Sequence, residues 1–270
     1  MHLRSVALTS IPPGREGYFP FSVPIIRHLG TIELGPTVTF LVGENGSGKS
    51  TLLEAVAAAT GLPTVGSDAI ERDNTLEAQR ALANALKLSW SRRVRRGFFL
   101  RAEDFFGFTK SLSALRAELL ERVQELDLEY ANRSAYAKRL ARGPLVNSIA
   151  ELERRYGVNL DENSHGQSFL KLFQSRFVPG GLYLLDEPEA PLSPHSQLAL
   201  MALIRDMVAQ DAQFLIATHS PILLGYPGAV IYDCDRVPVA RAEFDELDHV
   251  VITREFLNAP GRFWRALENP

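Results

Sequence analysis

One eight-residue segment, Gly43-Glu44-Asn45-Gly46-Ser47-Gly48-Lys49-Ser50, has glycines, a lysine and a hydroxyl at the spacing of a phosphate-binding loop. The apolar run 38–42 before it predicts a strand, and residues 51–59 after it predict a helix. Backbone N–H groups and the positive end of such a helix face a bound anion. We expect Lys49 to contact the β- and γ-phosphates of a nucleoside triphosphate and Ser50 to offer its hydroxyl to Mg²⁺, with Thr51 as a weaker second hydroxyl. A chance glycine-rich turn is the alternative, and the flanking strand and helix argue against it.

A pair of acids, Asp186 and Glu187, follows a second apolar run at residues 182–185. An acid at the carboxyl end of a core strand beside a phosphate loop can hold Mg²⁺, directly or through water, so we give this role to Asp186. Glu187 can accept a proton from, or orient, a water that attacks the γ-phosphate. The alternative is an acidic turn after a buried strand, which Pro188 would favour.

A histidine, His219, follows a third apolar run at residues 214–218. Open α/β sheets bind ligands at the carboxyl ends of their strands, and a histidine there can hydrogen-bond a γ-phosphate or the attacking water. A loop histidine that is satisfied by the backbone is the alternative.

A polar segment, Ser164-His165-Gly166-Gln167-Ser168, opens a predicted helix that ends at Phe177. A serine cap, a glycine and a helix N-terminus again suit an anion. Taken alone, this segment is also an ordinary helix start.

The elements that must position these residues alternate between strands and helices. Such alternation predicts an α/β fold: a phosphate-loop domain with a mostly parallel core sheet, helices on both faces and antiparallel strands at the N-terminus. Residues 11–30 are rich in proline and glycine and are predicted to be a loop, and residues 67–96 are polar and compatible with helix. Apolar residues at helical spacing in 111–142 predict one or two helices that end at Gly143-Pro144.

Composition sets outer limits on function. The chain has 270 residues, 46% of them hydrophobic, which is enough for one large α/β domain. The net charge of -3 gives no global basic signal for nucleic acid. A single cysteine, Cys234, excludes an internal disulfide and is typical of a reducing cytoplasm, where we expect the protein to be. We recognise no signal peptide and no apolar run of the roughly 20 residues that span a bilayer.

The order of the motifs along the chain resembles the ABC-type ATPase head, which transporter nucleotide-binding subunits share with SMC-, RecF- and RecN-like proteins. The segments 98–103, 164–167 and 185–190 are also similar to small bacterial AAA-family ATPases that lack a transporter. The resemblance extends from about Leu3 to Tyr232 and is weakest over 61–160. It implies one ATPase domain over 1–270, with a helical subdomain at about 67–178 and a C-terminal helical tail at 241–270.

The same resemblance implies a composite site for ATP and Mg²⁺. Two copies of the chain would enclose two ATP molecules, with Lys49, Glu187 and His219 as catalytic residues. Ser164, Gly166 and Gln167 of one copy would contact the γ-phosphate held by the other, and the segment 190–194 would lie at the dimer seam.

The chain departs from this class at several positions. His165 replaces the first glycine of the signature, and residues 97–109 lack the usual glutamine. Either Arg101 or Glu103 stands in for that glutamine, or both are ordinary charges at a strand end. Three aromatic residues upstream of the phosphate loop are candidates to stack on adenine, or else anchor their own loop: Tyr18, Phe19 and Phe21.

Three functional hypotheses follow. The first is a cytoplasmic ATPase gated by ATP-dependent homodimerisation, and a role in DNA repair or defence is compatible with it. The second is the ATPase subunit of an ABC transporter. The third is a slow nucleotide-gated switch on DNA or a protein partner. Its only support is a basic run, which is more typically a solvated face. The run comprises Lys87, Arg92, Arg93, Arg95 and Arg96, and Arg101 joins it.

Overall fold

The computed structural model describes residues 2–65, 77–156 and 165–268, and these form two sheets with helices around them. The smaller sheet is antiparallel and consists of β1 (Leu3–Leu8), β2 (Thr31–Glu33) and β4 (Leu86–Trp90). The larger sheet consists of β3 (Val38–Val42), β5 (Gly97–Arg101), β6 (Leu182–Asp186), β7 (Gln213–Ala217), β8 (Val230–Asp233) and β9 (Ala240–Arg241). Its spatial order is β5-β6-β7-β3-β8-β9, and every pairing is parallel except β8 with β9. The predicted mostly parallel core sheet and antiparallel N-terminal strands are confirmed.

Helices connect and cover these strands. In chain order, the helices of the described residues are α1 (Pro24–Arg27), α2 (Lys49–Thr60), α3 (Glu77–Ala85), α4 (Ala102–Glu129), α5 (Ala135–Tyr156), α6 (His165–Arg176), α7 (Pro194–Val208), α8 (Pro221–Leu224), α9 (Asp248–Asn258) and α10 (Pro260–Glu268), with a 3₁₀ turn at Phe244–Glu246. Within the ranges described, none of these helices is both long and apolar enough to cross a membrane.

The core lies on both faces of the larger sheet because its central strands are apolar at nearly every position. Successive residues of β3 point to opposite faces, so Phe40 and Leu41 belong to two different apolar clusters. Leu53 of α2 packs in the cluster with Leu41, together with residues of the smaller sheet. Phe173 of α6 and Leu200 of α7 pack in the cluster with Phe40. The phosphate-loop helix is therefore enclosed between the two sheets.

A buried amide, Gln213, joins the two sheets. Its Oε1 accepts hydrogen bonds from the backbone N–H groups of His2 (3.0 Å) and Leu3 (2.9 Å). Its Nε2 donates to the carbonyl oxygens of Leu3 and Gly35, both at 2.8 Å. The start of β1 is thereby fixed to the start of β7.

The helical region differs from its prediction at the proposed stop. Residues 102–156 form two long helices that pack on each other, and Pro144 lies inside α5 instead of ending it. A proline in a helix costs about 3 kcal/mol. Ion pairs join α4 to α5, Arg116 with Glu153 at 2.7 Å and Asp127 with Arg142 at 3.1 Å, but partly exposed pairs contribute only about 0–1 kcal/mol each.

Two other local predictions were also wrong. Residues 86–90 form the edge strand β4 because they pair with β1, a non-local contact that overrides helix-compatible composition. The predicted loop 11–30 contains the short helix α1, which starts at Pro24 and buries Ile25 and Ile26 in the core. Residues 66–76, part of the predicted helical subdomain, lie outside the described residues.

Candidate functional site

The candidate site lies where four parallel strands end. β3, β6, β7 and β8 run in the same direction, so the segments that follow them meet at one edge of the sheet. We call this the carboxyl edge. It brings together the phosphate loop after β3, the two acids at the end of β6, His219 after β7 and Asp235 after β8. The sequence predicted the first three of these neighbours.

The phosphate loop has the geometry that its sequence predicted. It connects β3 directly to α2, which begins at Lys49. Gly48 has a φ of 101°, and a Cβ there would lie 2.6 Å from Val23 Cγ1, so this position requires glycine. Lys49 is buried, and its Nζ donates hydrogen bonds to the carbonyl oxygens of Gly43 (2.7 Å) and Glu44 (2.9 Å). These bonds hold the ammonium group inside the curve of the loop, where a phosphate chain would enter.

A carboxylate outside the loop also holds it in shape. The backbone N–H of Glu44 donates to both oxygens of Asp235, at 2.8 and 3.0 Å. Asp235 lies three residues beyond Tyr232, where the family resemblance ended, and the sequence analysis gave it no role. No local pattern marks it, because it reaches the loop only through the pairing of β8 with β3.

The hydroxyl of Ser50 and the carboxylate of Asp186 form the pair expected of a magnesium site. Ser50 Oγ donates to Asp186 Oδ1 at 3.1 Å, although the two residues are 136 positions apart. Burial raises the pKa of Asp186 to about 7, and the hydrogen bond from Ser50 opposes that rise. A nearby cation stabilises the ionised form of a carboxylate whose pKa is raised by burial, and hard oxygen donors suit Mg²⁺. The described residues contain no cluster of three or more His, Cys, Asp or Glu side chains that could hold a metal alone. Mg²⁺ usually takes one or two carboxylates plus phosphate oxygens, so this donor set fits it.

Glu187 projects into a cavity beside that pair. The cavity has a volume of about 310 Å³ and is lined by Ser50, Arg101, Ala102, Glu103, Asp186, Glu187 and Ala190. The φ of Glu187 is 49°, a left-handed conformation that is uncommon for a residue with a side chain. Its backbone N–H is fixed to the carbonyl of Ala217 at 2.9 Å, so the neighbouring strand β7 stabilises the bend. Strained backbone of this kind is often found at functional sites.

His219 faces Glu187 across the mouth of the site. Its Nε2 lies 3.3 Å from Glu187 Oε1, so the two residues with predicted roles at the γ-phosphate and its attacking water are neighbours. Burial lowers the pKa of His219, and the positive charge of Lys49 lowers it further, while Glu187 opposes both. We therefore expect His219 to be neutral near pH 7.

Two residues that support His219 were missed by the sequence analysis. Glu189 accepts hydrogen bonds from the hydroxyl of Thr218 and the backbone N–H of His219, both at 2.7 Å. His249, on α9, places its Nε2 3.3 Å from Nδ1 of His219. Glu189 could have been suspected from its place three residues after Asp186. His249 lies in the tail, where the sequence offered no motif.

Arg101 and Glu103, the two candidates to stand in for the missing glutamine, both line the cavity beside Asp186 and Glu187. Arg101 is the residue of β5 that pairs with Asp186 of β6, and both residues line the cavity with Glu187. The Nε of Arg101 lies 3.3 Å from Glu54 Oε1, and Gln79 Nε2 donates to the other oxygen of Glu54 at 2.8 Å. Arg101 is thus a largely buried cation of the site and not a solvated charge at a strand end.

The remaining predicted residues divide into three groups. Ser164 lies outside the described residues, Gly166 is in the first turn of α6, and Gln167 is exposed there. Phe21 is buried in the core, which removes it as an adenine contact, whereas Tyr18 and Phe19 are exposed. The four arginines of the basic run that precede β5 lie between β4 and β5, at the edge where the parallel strands begin, which we call the amino edge. Lys87 lies within β4, whereas Arg101 ends β5 beside Asp186. The four arginines before β5 are all exposed, and they are Arg92, Arg93, Arg95 and Arg96.

Parts of the chain are similar to a known protein family and to known proteins. Residues 16–128 match a family model described as "AAA domain". The chain is 24% identical over 225 residues to a macrolide export ATP-binding/permease protein, MacB, from Agrobacterium fabrum, covering 82% of this chain and 32% of that protein. It is 25% identical over 242 residues to a phosphonates import ATP-binding protein, PhnC 1, from Ruegeria sp., covering 83% of this chain and 88% of that protein. The chain therefore spans about a third of the length of the MacB relative.

Solved structures that align with this chain include transporter subunits and SMC heads. CbiO1 of the Clostridium perfringens transporter complex cbiONQ aligns at 17% identity with a TM-score of 0.46, covering 99% of this chain and 100% of that one. The SMC head domain from Thermotoga maritima aligns at 14% identity with a TM-score of 0.41, covering 90% and 100%.

Proposed function

We propose that this chain, an ATPase head of the ABC-type and SMC-like class, binds ATP with Mg²⁺ and hydrolyses the bond between the β- and γ-phosphates. The observation that carries the proposal is the 3.1 Å hydrogen bond between Ser50 of the phosphate loop and Asp186 of the second motif. It brings an anion site and a cation site into contact. Phosphoryl transfer needs mainly positioning and charge stabilisation, and the groups at this edge would supply both.

The phosphate loop would bind the triphosphate through its backbone N–H groups. Lys49 would exchange its bonds to Gly43 and Glu44 for the β- and γ-phosphate oxygens, which would lie on the same concave side of the loop. Ser50 and Asp186 would hold Mg²⁺, which when bound supplies positive charge to the phosphate oxygens.

Glu187 and His219 would act on the attacking water. Glu187 lines the cavity beside Asp186, and its carboxylate lies 3.3 Å from His219 Nε2. It would accept the water's proton, and His219 would donate a hydrogen bond to the γ-phosphate. Glu189 would keep the backbone of His219 in place during the reaction, since it accepts hydrogen bonds from the Thr218 hydroxyl and from the His219 N–H.

We propose further that ATP closes a homodimer and that hydrolysis reopens it. The support is the resemblance of Ser164, Gly166 and Gln167 to the class signature, and the exposure of Gln167 at the start of α6. Ala190, the first residue of the expected seam, lines the cavity next to Glu187. A second copy at this seam would therefore cover the reacting phosphate.

The test is the Glu187→Gln variant, which keeps the side-chain shape but cannot accept a proton. We expect phosphate release to fall by at least about 100-fold while ATP binding persists. We also expect the variant to elute as a dimer with ATP and Mg²⁺ and as a monomer without them. Glu121→Gln, an exposed change on α4, is the matched control and should behave as the unchanged protein. A fully active Glu187→Gln variant that stays monomeric would contradict both proposals.

The names of the relatives favour a second candidate, the ATPase subunit of a transporter. Both MacB and PhnC 1 are named as ATP-binding proteins of transport systems. Recovery of the chain from detergent-solubilised membranes together with an integral membrane protein would support this candidate. Recovery from the soluble fraction alone would favour the free ATPase.

A nucleotide-gated switch on DNA remains the third candidate and rests on four exposed arginines in one segment. Measurement of phosphate release with and without duplex or single-stranded DNA separates it from the others. Stimulation that declines steeply with salt would favour it, because phosphate contacts release counterions.

A further inference from the structure

A histidine of the C-terminal helices, His249, enters the candidate site. It occupies the first turn of α9, and its Nε2 lies 3.3 Å from Nδ1 of His219 and 3.9 Å from Oε1 of Glu44 in the phosphate loop. The two imidazole rings are 5.4 Å apart and inclined by 47°. Only 17% of the His249 side chain is exposed. The tail therefore reaches the site through one side chain, which lies beside both a predicted catalytic residue and the phosphate loop.

The core fixes the position of this side chain. Leu247 and Val250, on either side of it, are both buried in the apolar cluster on the Phe40 face of the sheet. Arg254, one turn further along α9, pairs with Asp245 at 2.6 Å and restrains the same helix. His249 is thus held against His219 by a packed helix and not by a loose chain end.

The surrounding carboxylates determine where the protons lie. Nε2 of His219 lies 3.3 Å from Glu187 Oε1, although the two atoms do not meet in hydrogen-bond geometry. The negative charge of that carboxylate favours a proton on Nε2 over Nδ1. A neutral His219 then has a bare Nδ1, which can only accept a hydrogen bond. His249 Nε2 is the donor within reach, and the Glu44 carboxylate, 3.9 Å from the same nitrogen, also favours a proton there.

We propose that His249 is a positioning residue that donates its Nε2 proton to Nδ1 of His219. It thereby holds His219 in the tautomer that carries its proton on Nε2, the ring nitrogen that lies beside Glu187 and would donate to the γ-phosphate. The proposal rests on the proposed hydrolysis for its kinetic consequence, but the tautomer itself does not depend on turnover. It also gives the C-terminal helices a means to affect hydrolysis without contacting the nucleotide, since displacement of α9 would remove the donor.

The kinetic test compares His249→Ala with His249→Gln. Alanine removes the donor, and we expect kcat for phosphate release to fall on the order of tenfold with little change in KM, by analogy with the loss of an orienting partner from metal-bound histidines. Glutamine places an amide N–H near the position of Nε2 and should restore most of the rate. Glu255→Ala, an exposed change on the same helix, should have no effect. An unchanged rate in the alanine variant, or an equal loss in alanine and glutamine variants, would overturn the proposal.

A second measurement keeps this test independent of the ATPase proposal. In protein labelled with ¹⁵N-histidine, NMR spectra report which ring nitrogen of each of the six histidines carries the proton. The His219 signal is identified by its loss in His219→Gln. We expect the Nε2–H tautomer in the unchanged protein and in His249→Gln, and a mixture in His249→Ala. If the chain hydrolyses no ATP, the proposed function fails while this result still decides the role of His249. The same tautomer in all three proteins would refute that role.

Discussion

The two edges of the larger sheet hold their charges in different ways. At the carboxyl edge, Lys49 and Asp186 are buried, and each is held by hydrogen bonds within or between the motifs. At the amino edge, the charges of the basic run are exposed, as with Arg92, whose guanidinium lies 3.9 Å from Asp211 with both side chains mostly in solvent. Buried charges are costly unless a ligand or partner compensates them, whereas exposed ones are nearly neutral to the fold. The difference supports the proposal that the reaction takes place at the carboxyl edge.

The largest effect should come from removal of the buried cation at the carboxyl edge. We expect Lys49→Ala to reduce the rate of phosphate release by at least about 100-fold. Removal of one preorganised charge contact to the reacting group typically slows a reaction by about this factor. Phosphate release at saturating ATP, with binding of a fluorescent ATP analogue, measures the change. Arg93→Ala is the matched loss of a cation at the amino edge and should leave the rate unchanged. A Lys49→Ala rate within about twofold of the unchanged protein would remove the distinction between the edges.

The amino edge has a buried polar group, Gln213, whose loss should affect folding instead of catalysis. Gln213→Ala removes four hydrogen bonds between β7, β1 and the segment before β3. We expect the free energy of unfolding to fall by about 2–4 kcal/mol, because buried backbone groups lose their partners. Urea denaturation measures it. Gln210→Ala, which removes one exposed bond to Asp206 at the end of α7, should cost less than about 0.5 kcal/mol.

The buried carboxylate of Asp186 should make the stability of the nucleotide-free protein depend on pH. Folding raises its pKa from 3.8 to about 7, so the folded chain binds more protons than the unfolded chain between these values. Stability contributed by the protonated acid is therefore present at low pH and is lost as pH rises towards 7. Burial also raises the pKa of Glu54 and Glu189, and both contribute in the same direction.

Thermal unfolding at about pH 5 and about pH 7.5, on either side of the raised pKa, tests this dependence. We expect the free energy of unfolding of Asp186→Asn to change less between these two pH values than that of the unchanged protein. The difference between the two changes should be on the order of a few kcal/mol. ATP with Mg²⁺ should reduce the sensitivity of the unchanged protein, because a cation favours the ionised carboxylate. An equal pH dependence in the two proteins would show that this carboxylate is not perturbed by its burial.

Local sequence predicted the motifs of the carboxyl edge but not the residues that support them. The phosphate loop, Asp186, Glu187 and His219 each follow an apolar strand, so spacing and topology place them together without further information. Asp235 and His249 come from segments with no motif and reach the site only because β8 and α9 pack where they do. Such contacts are set by tertiary structure, which a single sequence does not display.

The same reasoning explains the errors outside the site. Strand β4 and the continuous helix α5 both depend on a partner elsewhere in the chain, β1 for the strand and α4 for the helix. Local composition favoured helix at the first and a stop at Pro144 in the second. Packing overrode propensity in both cases, because each propensity amounts to only a few tenths of a kcal/mol to about 3 kcal/mol.

The smallest effect should come from charge reversal at the amino edge. Arg93→Glu with Arg96→Glu changes the net charge from -3 to -7, since each reversal removes one positive charge and adds one negative charge. We expect a change in unfolding free energy within about 0.5 kcal/mol and an unchanged rate of phosphate release without DNA, because exposed charges are solvated and screened. Urea denaturation and phosphate release measure both. A reduced rate would show that the two edges are coupled, and the route would be β5, which starts just after Arg96 and ends at Arg101 beside Asp186.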